Sequence, residues 1–205
     1  MFCNPLRVCP NKSGWRGSPA RRSGSILFLV LFLLVGGAQL CQAAPTEVYF
    51  SPRGGAEAAL VRLIDGAAKN IDAAIYTFTN RALAAAVVRA HKRGVKIRLI
   101  LDGNDESDYS KGFYLRQRGV DVRYARGLAK KSRKKRKKRY RVRKYGLMHH
   151  KFAVVDGKTV ATGSFNWTAS AERWNHENLL VIKSPSLARR YETAFRKIWK
   201  STFRK

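Results

Sequence analysis

The chain has 205 residues, with 42 Lys and Arg against 13 Asp and Glu and a formal net charge of +29. That length suits one domain plus a targeting segment, and the charge favours nucleic acid or an anionic membrane surface without choosing between them. The three cysteines, Cys3, Cys9 and Cys41, all fall in the first 43 residues, which excludes a disulfide framework or a cysteine zinc site beyond that point.

The chain begins with a basic stretch (Arg7, Lys12, Arg16, Arg21, Arg22) that holds no acidic residue. An apolar run follows from Ile26 to Val35, and small residues then lead to Ala43-Ala44. This order describes a secretory signal peptide over residues 1–43, cleaved before Ala44. The alternative is an uncleaved membrane anchor over residues 26–44, although the run is short of the about 20 apolar residues a span needs. Cleavage leaves a cysteine-free catalytic domain, residues 44–205, with a net charge of +24. An exported, periplasmic or secreted protein is expected.

Within 44–205 the pattern alternates strand and helix. Thr46 to Phe50 reads as a strand, and Gly55 to Ala68 as a helix with Ala59, Leu60, Leu63 and Ile64 on one face. Ile71 to Phe78 is a strand. Asn80 caps a helix that Gly94 ends. Val95 to Leu101 is a strand of buried type, Tyr109 to Arg118 a short helix and Val120 to Tyr124 a strand. Next comes Lys130 to Lys144, in which twelve of fifteen residues are Lys or Arg. Such a block repels itself and is expected to grip phosphate backbones, with Arg143 and Lys144 nearest the site; a solvated loop is the alternative. Asn178 to Ile182 is a further strand, and Pro185 to Trp199 a closing helix. The alternation predicts an α/β fold, a single domain with a mixed sheet sandwiched between helices.

The segment between the basic block and the last strand carries the chemistry. It reads His149-His150-Lys151, four residues, Asp156, six residues, Gly163-Ser164-Phe165-Asn166, and it occurs once. Asp156-Gly157 between strand-like flanks predicts a two-residue hairpin turn. With Val155 facing Lys158, His149 then lies opposite Ser164 and Lys151 opposite Thr162. An imidazole, an ammonium, a hydroxyl and an amide gather at one end. That set suits a phosphodiester. Lys151, Ser164 and Asn166 would hold the phosphoryl oxygens, and His149 would attack phosphorus. No cysteine or carboxylate cluster suggests a metal site, so neither metal nor other cofactor is expected. Asp156 belongs to the same pattern, although an Asp before Gly in a turn needs no catalytic explanation.

These residues resemble the HKD signature of the phospholipase D superfamily. Ile71–Phe78 resembles that family's early core strand, Arg93–Asp102 its next helix exit and strand, and Asn175-His176-Glu177-Asn178 its downstream acidic position. Within the superfamily the chain is most similar to the small single-motif bacterial endonucleases. The resemblance implies a phosphohistidine intermediate on one motif histidine, with a second histidine as acid and then base. It implies that Glu177 orients His149, an exposed strand carboxylate being the alternative. One motif per chain then implies a homodimer with the site on the two-fold axis. The expected activity is a metal-independent nuclease on DNA or RNA. The alternatives are a phospholipase D acting on phosphatidylcholine or cardiolipin, and a nucleic-acid-binding protein with a dead site.

Overall fold

The computed structural model describes residues 43–103, 109–129 and 145–204. The expected leader lies outside them apart from Ala43, and so does the basic block 130–144 with Arg143 and Lys144. Among the described residues no helix is long and apolar enough to cross a membrane.

Among the described residues twelve elements follow one another: β1 (Thr46–Ser51), α1 (Ala56–Asp65), β2 (Asn70–Ile75), α2 (Arg81–Lys92), β3 (Lys96–Asp102), α3 (Lys111–Arg116), β4 (Asp121–Ala125), β5 (Lys151–Val155), β6 (Thr159–Gly163), α4 (Ala169–Arg173), β7 (Glu177–Lys183) and α5 (Pro185–Trp199). Local signals explain the boundaries. The Asn80 side chain accepts a hydrogen bond from Leu83 N (3.0 Å) at the start of α2, and Gly94 ends that helix with φ 89°. Ser184 caps α5 by accepting from Leu187 N, and Pro185 occupies its first turn, where no partner for a proline N–H is needed. The helix expected over 109–118 is shorter because Ser110, not Tyr109, supplies its cap. The five-residue α4 was not expected; Thr168 caps it.

The strands form one seven-stranded sheet in the order β1-β7-β6-β5-β2-β3-β4. β2, β3 and β4 run parallel, and the other pairs are antiparallel. The side chains alternate between two apolar layers. Ile71, Ala73, Ile75, Leu99, Leu101, Ala153 and Val155 pack with α1 and α2. Ala74, Ile100, Phe152, Val154 and Val160 pack with Ala188 and Phe195 of α5. The sandwiched mixed sheet therefore has the expected form.

The β5–β6 hairpin differs from expectation by one residue. Asp156 (φ 54°) and Gly157 (φ 63°) form the turn, and Lys158 N donates to Val155 O (3.0 Å) as anticipated. The ladder, however, resumes at Val155↔Thr159 and pairs Phe152 with Thr162. Lys158 is an extra, bulged residue, so Phe152 rather than Lys151 faces Thr162. His149 precedes β5, and Ser164 and Asn166 follow β6, so the expected cross-strand pairing of His149 with Ser164 is not formed as a ladder pair.

Candidate active site

The site lies where β5 begins and β6 ends. The His149 ring packs against Tyr76, with centroids 4.5 Å apart and planes at 55°. Tyr76 N donates to His150 O (2.8 Å), which fixes the segment entering β5 against the end of β2. Lys151 Nζ donates to His149 O (2.8 Å) and stands 4.8 Å from the centre of the Tyr76 ring. Tyr76 therefore touches both members of the H-x-K pair, through ring packing and a cation–π contact. His149 itself is exposed.

The G-S-x-N segment is held by its apolar members. Phe165 and Trp167 are buried; Trp167 N donates to Thr77 O, and Trp167 O accepts from Thr79 N and Asn80 N. Alternation turns Ser164 and Asn166 to the other side. Gly163 adopts φ 154°, and a Cβ there would run into the backbone carbonyl of Asn178. Only glycine lets β6 approach β7 this closely. Ser164 and Asn178 then clamp each other: Ser164 N donates to Asn178 O (3.1 Å), and Asn178 N donates to Ser164 Oγ (3.1 Å). The hydroxyl proton of Ser164 remains available for a phosphoryl oxygen. Asn166 Oδ1 is buried with no hydrogen-bond partner among the described residues. A half-turn of the amide puts its NH2 in the same place, so one end of the amide is left unsatisfied either way.

Two candidate residues make no contact with the imidazole among the described residues. Asp156 sits at the turn end of the hairpin, away from the imidazole. Its carboxylate accepts from Ala68 N (3.0 Å), Lys69 N (2.7 Å) and Asn70 N (3.0 Å), and so closes the loop from α1 into β2. Partial burial pushes its pKa up, but those three bonds and the charge of Lys158 together hold it below the usual carboxylate range. This explains Asp156 without catalysis. Glu177 lies on the same sheet face as Lys151, since Leu179 and Val181 of its strand share the layer of Ala153 and Val155. Its Oε1 accepts from Asn175 Nδ2 (3.2 Å), and no hydrogen bond joins it to His149 among the described residues. Its charge acts on Lys151 instead: burial lowers the lysine pKa, and Glu177 opposes that shift.

Sequence reasoning missed Tyr76, Asn178 and the wall of the adjoining cleft. The cleft has a volume of about 540 Å³ and runs from His149 and Lys151 along His150, Phe152 and Thr162 under Leu187, Arg190 and Tyr191 of α5. The His150 ring stands edge-on to Phe152, with centroids 5.4 Å apart. Partial burial, then the charges of Lys151 and His149, push its pKa below the ordinary imidazole value. The residues that flank the basic block in the sequence are joined just ahead of the site. Gly127 N donates to Gly146 O (3.0 Å), Gly146 N donates to Leu128 O (2.9 Å), and Ala129 bridges Tyr145.

An exposed imidazole beside a part-buried ammonium, at the strand ends where the G-S-x-N segment begins, fits an enzyme of the phosphodiesterase class. The family model described as "Cardiolipin synthase, PLD-like domain" matches residues 60–199, and the chain belongs to the phospholipase D superfamily. It is 36% identical over 142 residues to the mitochondrial cardiolipin hydrolase of Xenopus tropicalis, covering 68% of this chain and 59% of that protein. It is 32% identical to a phospholipase D of Rickettsia felis, covering 69% and 63%. The chain thus spans about three fifths of the length of these relatives. Among solved structures, Nuc from Salmonella typhimurium matches with a TM-score of 0.66 at 28% identity, and NucT from Helicobacter pylori with 0.70 at 27%. Both matches cover 79% of this chain and 99% of the other.

Proposed function

We propose that the protein is a metal-independent endonuclease of low sequence specificity, cutting DNA or RNA through a phosphohistidine on His149. The observation that carries this reading is that Ala129 and Tyr145, the residues on either side of the polybasic block in the sequence, bridge each other four residues ahead of the exposed His149. A strand held by that block would pass over the nucleophile. A ring nitrogen of His149 attacks phosphorus, and the bond to the leaving oxygen breaks. Lys151 and the polar ends of Ser164 and Asn166 take up the charge on the non-bridging oxygens. The leaving oxygen receives a proton from a second imidazole. That imidazole then takes a proton from water, which attacks phosphorus and releases His149.

One chain carries a single such imidazole, so the second comes from another copy, in a homodimer with the site on its two-fold axis. Export to the periplasm or medium is proposed from the basic-apolar-small order of residues 1–43, with a membrane anchor as the alternative. A phospholipid substrate is the second reading, favoured by the relatives named cardiolipin hydrolase and phospholipase D. A basic surface also suits anionic headgroups.

The test offers plasmid DNA, single-stranded RNA and cardiolipin or phosphatidylcholine vesicles in EDTA to the wild-type protein and to His149→Ala. Nucleic-acid cutting that persists in EDTA and vanishes in the variant is expected. Headgroup release with intact nucleic acid would move the assignment to the lipid substrate.

A further inference from the structure

We propose that the cleft beneath α5 is a subsite for a second phosphodiester carried by the same substrate molecule, and that Arg190 binds it. The inference rests on His149 being the reacting centre. Three observations support it. The cleft begins where the segment carrying that centre enters β5, and His149 and Lys151 both contribute to its lining. Leu187, Arg190, Tyr191 and Ala194 recur at helical spacing, so one face of α5 forms the opposite wall over about 10 Å of helix. Arg190 is exposed there and has no hydrogen bond or ion pair among the described residues.

Other α5 side chains in the cleft are already engaged. The Tyr191 hydroxyl meets Thr162 Oγ1 (3.4 Å), and its ring stands edge-on to Phe152 with centroids 5.0 Å apart. These contacts build a rigid, half-apolar wall and leave Arg190 as its free charge. A guanidinium binds a phosphate in two parallel hydrogen bonds, a geometry an ammonium does not reproduce. A volume of about 540 Å³ accommodates one nucleoside or one glycerol link between two phosphates. The shared ligand chemistry is thus a phosphodiester one unit away from the scissile one. A nucleic-acid strand supplies it as the neighbouring phosphate, and cardiolipin as its second phosphate.

The experiment compares kcat/KM for three substrates: bis(4-nitrophenyl) phosphate, with one phosphodiester; a short oligonucleotide; and cardiolipin vesicles. The full-length protein is measured as wild type, Arg190→Ala, Arg190→Lys and Arg189→Ala. Arg189 is the exposed neighbour outside the cleft wall and controls for simple loss of charge.

Arg190→Ala is expected to lower kcat/KM on the preferred multi-phosphate substrate by about tenfold more than on bis(4-nitrophenyl) phosphate, mainly through KM, with partial rescue by Lys. Arg189→Ala is expected to change neither. An equal effect of Arg190→Ala on all three substrates overturns the inference, as does no effect, or an effect matched by Arg189→Ala. A wild type that turns over only the single-phosphodiester probe overturns it as well. If cardiolipin is hydrolysed and the oligonucleotide is not, the nuclease reading fails while the subsite is still decided by the lipid arm.

Discussion

Replacing Asp156 separates its place in the motif from its place in the fold. The Asp156 carboxylate closes three backbone N–H groups of the α1–β2 connection, and the five residue steps from Lys151 to Asp156 run about 17 Å along the hairpin. Asp156→Ala removes three bonds to a charged acceptor, each worth about 1.5–3 kcal/mol when fully sheltered. Ala68 and Lys69 are exposed, so water replaces part of what is lost, and a net cost of about 2–3 kcal/mol follows. For a domain of this size that lowers Tm by about 5–10 °C.

The folded carboxyl titrates below its unfolded value, so this contribution is present above about pH 4 and disappears as pH falls through the lowered pKa. The wild type should therefore lose its thermal advantage over Asp156→Ala on acidification. Below the melting range, kcat should stay within about threefold of wild type, since no reacting atom is touched. The assay is differential scanning calorimetry from pH 3 to 7 alongside phosphodiesterase activity at 25 °C. An Asp156→Ala protein with an unchanged Tm and abolished activity would refute the structural assignment.

Other variants follow from the same geometry. Tyr76→Ala removes the ring beneath His149 and Lys151 and should lower kcat by about 10–100-fold, whereas Tyr76→Phe keeps the ring and most of the rate; steady-state kinetics on a soluble phosphodiester distinguishes them, and equal losses would contradict the packing role. Gly163→Ala forces a Cβ into Asn178 and should cost about 3 kcal/mol or more, read by urea unfolding; an undiminished midpoint would show that the strands can move apart. Burial favours the neutral form of Lys151, so its proton leaves as pH rises at a value below the ordinary lysine pKa of about 10.4. The alkaline limb of the kcat/KM profile should fall there, and Glu177→Gln, which removes the opposing charge, should move it to still lower pH. A shift to higher pH would contradict this account.

Much of this was legible in the chain because it depends on local signals. Asn80, Gly94, Asp156-Gly157 and Pro185 mark element ends through their own backbone chemistry, and those ends appear where expected. The H-x-K and G-S-x-N residues converge because Phe165 and Trp167 anchor one segment while β2 pairs with β5 beneath the other. What was not legible depends on tertiary fit. The bulge at Lys158 moves the register by one residue without any change in the hydrophobic pattern near the turn. Tyr76 lies more than seventy residues before His149, and only the β2–β5 pairing brings them together. Resemblance alone links Glu177 to His149, and only the fold brings its charge to bear on Lys151. Arg190 lies on a helix whose pattern reveals which side is buried but not that a cleft opens beneath it.

The central claim is that His149 attacks phosphorus. Its most direct test is a rapid-quench single turnover in EDTA, with an oligonucleotide labelled at the scissile phosphate, followed by peptide mapping of the protein under alkaline conditions that preserve phosphoramidates. The account predicts transient label on the peptide containing His149, absent from His149→Ala. Turnover without label on that peptide, or label on another residue, would contradict it.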